Sequence, residues 1–474
     1  MTPDANDLCV FAVKRGNLER KRADVLGTYS SIIYDSVYLY PSEKLGQIVS
    51  TYSGGTPSKK SNEDNSYWGG TIPWVSPKDF KSFYIYDSED HITEKAIDDS
   101  ATQRVIPDSV LVVVRSGILK HTLPVAINKV EVTINQDIKV LIPNDSVLPD
   151  YLGFYLKVFE KKILSLCVKH STTVQSVNTS EFLSLDIPVP PISTQKKLII
   201  FMKEALKNYR SKLIEATELL LGRNQYVLQR IGLAFEKNES SIIYAMEFKE
   251  LEERLDADYY SPEFSGFRRQ IENCMYPSAT IDEISDQIVS GFAAGKQDQA
   301  DDLPDDQRVA HLRPFSITPE GDLSFETKKF VPKSRLKPED YCRKNEVIFN
   351  NTNSPDLVGK TTVFDRDVLC AASNHMTRIT VKEGVNPYYV AAFFNVLLSI
   401  GYWKLLCTNF NNQAGVNTDT LKKVKIPLPP KEVQNQIAVE LMQRRSQAND
   451  LRKQAIKEWA DAKVQFEKEL LGET

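Results

Sequence analysis

No two cysteines are spaced as CxxC, and the six (Cys9, Cys167, Cys274, Cys342, Cys370 and Cys407) are scattered, with no cysteine–histidine spacing that completes a zinc-ligand set. Reduced, mostly buried thiols are expected. The N-terminal text MTPDANDLCVFAVKRG has no basic start followed by an apolar run, so it does not read as a secretory signal. The longest apolar stretch, residues 388–403, is broken by Asn395 and falls short of the roughly 20 residues that span a bilayer. A cytoplasmic location is the reading. An excess of basic residues is also missing: the formal net charge of −4 argues against a uniformly basic nucleic-acid coat, although one basic cleft can coexist with an acidic remainder.

Catalytic motifs are absent as well. Residues 291–296, GFAAGK, are one residue short of a phosphate-binding loop, and Lys296 is followed by Gln297 where a Ser or Thr would hold Mg²⁺. Asn386-Pro387-Tyr388-Tyr389 is near an amino-methyltransferase NPPY loop, but no glycine-rich cofactor-binding turn accompanies it, and Tyr151 aligns with Tyr389, so a shared helix start explains it better. Pro355-Asp356 with Lys360 has Val358 where a nuclease needs a second carboxylate to hold its metal. His91, His121, His170, His311 and His375 are dispersed, with no HExxH or HxE pattern. No residue is assigned to catalysis or to a metal, and the chain is expected to bind no cofactor of its own.

What the sequence does contain is a duplication. Its 474 residues, 41% hydrophobic and 26% charged, suit two to four globular domains. LDIPVPPISTQKKL at 185–198 returns as VKIPLPPKEVQNQI at 424–437, so that Ile187, Pro188, Pro190, Pro191 and Gln195 map 239 residues on to Ile426, Pro427, Pro429, Pro430 and Gln434. Val177-Asn178-Thr179 returns as Val416-Asn417-Thr418, Asn135 aligns with Asn374, and LERKRADVLGTY at 18–29 is similar to LEERLDADYY at 251–260. One long period means two copies of a domain rather than a solenoid of short repeats.

Each copy switches composition in the same order. Residues 37–186 are rich in β-branched and aromatic residues punctuated by turn formers, with a run VLVVV at 110–114, which predicts short strands in a mixed α/β globule. After Pro190-Pro191 the period becomes helical, with a stripe of Leu198, Met202, Ala205, Tyr209, Leu213, Ala216 and Leu220. After Pro429-Pro430 the stripe is Ile437, Leu441, Ala448, Leu451, Ala455, Trp459, Ala462 and Phe466, broken by Arg444. Proline suits a helix entrance because it lacks the N–H that a first turn leaves unpaired.

Helices of about forty residues with a narrow apolar stripe need a partner helix, and the other copy is the natural one. The predicted fold class is therefore α+β: two mixed α/β globules separated by two long antiparallel helices in a coiled-coil-like spacer. The spacer contacts are expected from Leu198, Met202, Ala205 and Tyr209 on one helix and Ile437, Leu441, Ala448 and Leu451 on the other. The boundaries read as 1–36 for an N-terminal part of the first repeat, 37–190 for the first globule and 191–236 for its helix. Then come 237–275 for a linker and second-repeat start, 276–429 for the second globule and 430–474 for its helix.

Residues 52–80, YSGGTPSKKSNEDNSYWGGTIPWVSPKDF, closely resemble the opening of a target-recognition domain in specificity subunits of Type I restriction-modification systems. The IPxPP-xxxQ segments resemble that family's two conserved regions, and RLDADYYSPEF at 254–264 resembles the start of its second half. The second globule departs from the pattern, with GFAAGKQ and AHLRPFSITPEGDL in place of the GGTP…PWVSPKD text. The resemblance implies a non-catalytic subunit that binds an asymmetric, bipartite DNA target. It also implies two methyltransferase subunits and restriction-translocase subunits as partners, these using S-adenosylmethionine, ATP and Mg²⁺.

DNA contact is expected from loop residues able to reach base edges or phosphates. In the first globule these are Thr56, Ser58, Lys59, Lys60, Ser76, Lys78, Asp79, Arg115, Ser116 and Lys120; in the second, His311, Arg313, Asn350, Asn351, Thr352 and Asn353. Trp68 and Trp74 read as core aromatics rather than base-stacking rings. Two other readings stay open: a two-globule scaffold without sequence-specific DNA binding, and a specificity subunit of a related phage-defence methylation system.

Overall fold

The computed structural model describes residues 38–58, 67–169, 174–235, 243–245, 251, 254, 256–326, 329–410 and 413–471. Cys9, the 18–29 text, Lys59, Lys60 and His170 lie outside them. Four helices carry the architecture: α1 (Pro149–Val158), α2 (Ile192–Ile231), α3 (Pro387–Ser399) and α4 (Lys431–Leu471). The chain is α+β and forms two compact units, one holding the described residues up to Ser211 together with those from Gln454 onward, the other Lys212–Lys453.

The repeated texts become repeated structure. Strand Asp186–Pro188 pairs antiparallel with Ser42–Lys44, and Lys425–Pro427 pairs in the same way with Ser278–Thr280. Both ladders end in proline, which has no N–H to extend them. The carbonyl of each of these prolines accepts a buried tyrosine hydroxyl, Tyr151 to Pro188 and Tyr389 to Pro427, both at 2.7 Å. Gln195, at the start of α2, accepts from Leu148 N at 2.9 Å and donates to Ser146 O at 2.8 Å and Pro190 O at 2.9 Å. Gln434 repeats this, accepting from Asn386 N and donating to Pro429 O, each at 2.8 Å. Asn178 and Asn417 both cap short helices through their side chains. The Asn386-Pro387 text is a helix start: the Asn386 side chain accepts from the N–H groups of Tyr388 and Tyr389.

The VLVVV run supplies the central strand of the first unit, Val110–Val113, in a sheet ordered Val49–Ser53, Ile138–Pro143, Val110–Val113, Val125–Asn128, Tyr84–Ile85. Its side chains alternate between two cores, Val110 and Val112 facing the layer that includes α1, Leu111 and Val113 the opposite layer. In the second unit Val347–Asn350 takes that place, in the order Ser285–Ser290, Met376–Val381, Val347–Asn350, Thr361–Val363. Each unit also has a smaller sheet with one parallel pairing, Trp68–Val75 beside Val132–Ile134 and Arg308–Leu312 beside Cys370–Ala372.

The long helices pair antiparallel inside each unit. In the first, Leu198, Met202 and Leu206 share a core with Ala462, Phe466 and Leu470, and the Tyr209 and Trp459 rings lie 6.0 Å apart. Within the second, Val227 and Ile231 share a core with Ile437 and Leu441. Arg444 breaks the apolar stripe without breaking the packing, because its guanidinium lies 4.8 Å over the Tyr226 ring and bonds Glu440 at 2.8 Å. Ala448 in the second unit and Ala455 in the first are fully buried, small residues on a face where a larger side chain would hold the helices apart. No helix among the described residues is long and apolar enough to cross a membrane. The described cysteines are free thiols, and burial pushes Cys167 and Cys370 up to about 12, which makes them poor nucleophiles.

Candidate nucleic-acid interface

In each unit three loops meet at one corner. In the first, the corner is residues 134–137, around Asn135, whose counterpart by strand register is Ser373 and not the Asn374 that the repeat offset gives. Gly54 lies so close that a Cβ there would sit 1.9 Å from Ile134 O, and Gly55 N donates to the same oxygen at 3.1 Å. Thr56 Oγ1 donates to Gln136 Oε1. Asn135 N donates to Val75 O at 3.0 Å, which brings in the end of the Trp68–Val75 strand, and Val114 N donates to Asp137 O at 2.8 Å. Arg115, 65% exposed in its side chain, approaches Asp137 at 3.7 Å.

The second unit repeats this corner with different letters. A Cβ on Gly291 would lie 2.2 Å from Ala372 O, and Phe292 N donates to that oxygen at 2.7 Å. Asn374 N donates to Phe292 O at 3.1 Å, Ser373 N to Leu312 O at 2.9 Å, and Asn351 N to His375 O at 3.0 Å. GFAAGK is thus the counterpart of SGGTP, with glycine kept where two backbones touch.

HLRPFS is likewise the counterpart of WVSPKD. Ser76 and Arg313 enter 3₁₀ turns, Pro77–Asp79 and Pro314–Ser316, with the same backbone angles, φ −128° and ψ 171°. In each, the third turn residue reaches back to that entering N–H: Asp79 accepts from Ser76 N at 2.8 Å, and Ser316 accepts from Arg313 N at 3.1 Å. His311 accordingly occupies the place of Trp74. Trp74 is a core aromatic whose Nε1 donates to Gly55 O at 3.0 Å, edge-on to Trp68 at 5.1 Å.

The sequence-chosen residues divide by what their polar atoms already do. Thr56, Ser58, Arg115 and Lys120 are exposed, the first three on loops at or next to the corner and Lys120 at the end of the Gly117–Lys120 turn. Ser116 caps that turn. Ser76 and Asp79 hold each other, and Lys78 pairs with Asp90 at 2.9 Å and Glu89 at 3.1 Å, so these three shape the turn. Asn350 is buried and spends both amide hydrogens on Thr352 O and His375 O at 3.0 Å, while its Oδ1 accepts from Asn353 at 2.7 Å. Asn351, also buried, donates to Asn374 O at 3.2 Å and Thr377 Oγ1 at 3.0 Å and accepts from Thr352 Oγ1 at 2.8 Å. Thr352, Asn353 and Arg313 are half-buried.

His311 is 3% exposed. Burial first, and then the charge of Arg313, pushes its imidazole down to about 4. Because the folded value lies below the unfolded one, His311 stabilises the fold above about pH 6.5, and that contribution is lost as pH falls toward 4. Urea unfolding of the wild type minus His311→Phe should therefore show a stability difference that shrinks by up to about 3 kcal/mol over this window. A difference independent of pH would contradict the assignment.

Two residues at this site escape a sequence reading. Lys360 is buried and donates to Pro314 O at 2.9 Å and Ile317 O at 2.7 Å, bracing the 3₁₀ turn, while Asp356 pairs with Lys404 at 2.8 Å. The nuclease-like spacing therefore serves two separate contacts. Asn395, the break in the apolar stretch, accepts from Thr361 N at 3.1 Å and donates to Thr361 O at 2.8 Å. The available sequence signal was the shared x-Pro-x-(Asp/Ser) spacing at 76–79 and 313–316, in which the last side chain can accept from the first N–H.

Fold and corner together define a chain of two matched α+β units, each combining a loop-built corner with part of an antiparallel helix pair. The chain belongs to the family described as the Type I restriction modification DNA specificity domain, which it matches over residues 41–218 and 337–458. It is 40% identical over 156 residues to the Type I restriction enzyme EcoR124I/EcoR124II specificity subunit of Escherichia coli, covering 33% of this chain and 38% of that one. It is also 32% identical over 202 residues to the MjaIX specificity subunit of Methanocaldococcus jannaschii, covering 41% and 42%. The matched segments thus span less than half of either relative. A solved chain from a study of complex assembly in the type I R-M system shares the fold, with TM-score 0.53 at 13% identity over 91% of this chain and 97% of that one.

Proposed function

We propose that this chain is a DNA-reading subunit that binds an asymmetric, two-part duplex target and directs methyltransferase and restriction subunits to it. The carrying observation is the corner built twice on one backbone plan but with different side chains. A common plan fixes the approach to the groove, and unequal side chains specify unequal sequences. In the first unit Thr56 and Ser58 are exposed hydroxyl residues and Arg115 an exposed guanidinium suited to guanine or phosphate, and Lys120 lies close by in sequence. Arg313, Thr352 and Asn353 are the candidates in the second, with Asn350 and Asn351 holding the loop that presents the last two. Lys59 and Lys60, within the same glycine-rich text, are phosphate contacts in this reading.

Chemistry belongs to the partners in this proposal. The two methyltransferase subunits use S-adenosylmethionine and the restriction subunits ATP and Mg²⁺, in the cytoplasm, and the chain supplies neither a catalytic group nor a cofactor. The test is retention of DNA by the assembled complex from a pool of random duplexes. At roughly 0.2 M salt, where nonspecific phosphate contacts have weakened by orders of magnitude, a specific reader keeps a sequence-enriched subset. A retained pool as random as the input supports the scaffold reading instead.

A further inference from the structure

In each unit a largely buried carboxylate of the globule meets a cation on the helix pair. In the second unit this is Asp322, on the turn at 318–322. The turn is closed by Gly321 N to Thr318 O at 3.0 Å and Thr318 N to Asp322 O at 2.9 Å. Gly321 has φ +80°, and a Cβ there would lie 2.6 Å from Asn395 Nδ2 and 3.0 Å from Thr361 O, so the turn is held from below by the residue that binds the edge strand. From above, both long helices hold it. Arg223 of α2 donates to Glu320 O at 2.9 Å and lies 3.9 Å from the Asp322 carboxylate, which Arg445 of α4 reaches at 3.0 Å. The side chains of Arg223, Asp322 and Arg445 are 16%, 18% and 26% exposed, so this is not a solvated surface pair.

The turn leads back to the candidate interface. Ile317 and Leu323 bridge its two arms, and Lys360 ties Ile317 O to Pro314 O, that is, to the 3₁₀ turn entered at Arg313. A displacement of Asp322 from the helices is thereby passed to Arg313 through three short steps.

The first unit reaches the same result with other elements. Asp150, in the first turn of α1 and 16% exposed, pairs with Lys203 of α2 at 3.0 Å and accepts from Tyr84 Oη at 2.5 Å. Tyr84 lies on the edge strand of the five-stranded sheet, and Lys129 approaches the same carboxylate at 3.7 Å. The alignment of Tyr151 with Tyr389 puts Tyr388 at the position of Asp150, so the two anchors do not descend from one repeated residue.

We propose that Asp322 with Arg223 and Arg445, and Asp150 with Lys203, are positioning residues that set the orientation of the second and first reading corners on the helix pair. Each anchor then governs discrimination at one half-site only. The inference rests on the two-part DNA reading above. Its test uses the full complex with methyltransferase subunits and duplexes carrying the wild-type-selected target, intact or with one half-site altered.

Asp322→Asn should lower methylation discrimination at one half-site about tenfold and leave the other within twofold; Asp150→Asn should do the reverse. Arg445→Met, which leaves the turn itself untouched, should reproduce the Asp322→Asn pattern, and the double variant should be no worse than either single one. Equal loss at both half-sites, or no loss from either variant in assembled complex, overturns the inference. If the wild-type complex selects no two-part target, the underlying reading falls and this inference falls with it.

Discussion

Alanine at Gly54 is expected to lower the unfolding free energy by about 3 kcal/mol or more, the upper end of overpacking costs, because its Cβ would stand 1.9 Å from a backbone oxygen that no rotamer change can move. Gly291→Ala should do the same in the second unit, where the obstructing atoms are Ala372 O at 2.2 Å and Ser373 O at 2.3 Å. Neither glycine has a positive φ, so the effect is close approach and not conformational freedom. Gly117→Ala is the matched control: it has no positive φ and no atom within 4 Å, and it should stay within about 0.5 kcal/mol of wild type. Denaturant midpoints measured for the three variants check this; a Gly54→Ala midpoint equal to that of Gly117→Ala would mean that the loop does not pack on Ile134.

Replacing Gln195 by leucine is expected to cost about 3 kcal/mol, since one N–H and two carbonyls lose their partner and each buried orphan costs about 1–3 kcal/mol. Gln434→Leu strands Asn386 N and Pro429 O and should cost slightly less. The two glutamines share no partner, so the losses should add in the double variant. The side chains are nearly the same size, which keeps a cavity term out of the comparison. Denaturant unfolding followed by tryptophan fluorescence reads both, and a loss below 1 kcal/mol at Gln195 would show that water replaces the amide.

These two predictions mark what could and could not be read from the letters. Gln195 and Gln434, the diprolines and the Asn178 and Asn417 caps repeat as text because each contact needs one residue type: a long amide reaching two carbonyls and an N–H, a ring without a donor, a short acceptor. The corner does not repeat as text because its contacts are made by backbone atoms. The 3₁₀ turn asks only for proline after the first residue and an acceptor at the end, which Asp79 and Ser316 satisfy equally. His311 takes the place of Trp74 on the same backbone plan, each buried edge-on to an aromatic ring, Phe292 for His311 and Trp68 for Trp74.

Burial was the other hidden quantity. The Asn350–Asn353 run looks like a set of base readers, yet Asn350 and Asn351 are turned inward to bind the carbonyls of His375 and Asn374. An amide on a loop has the same letter whether it faces DNA or its own backbone. Asn395 likewise reads as an interruption of an apolar run until the strand it binds, 34 residues earlier, is in place. Arg444 reads as a break in the spacer stripe until Tyr226 lies beneath it.

Sequencing the duplexes retained by the assembled complex from a random pool tests the central claim most directly. The expected result is two short enriched blocks of different sequence separated by a gap of constant length and free composition. A single enriched block, two blocks that are inverted copies of one another, or a gap that varies from duplex to duplex would contradict a pair of unequal readers at a fixed spacing.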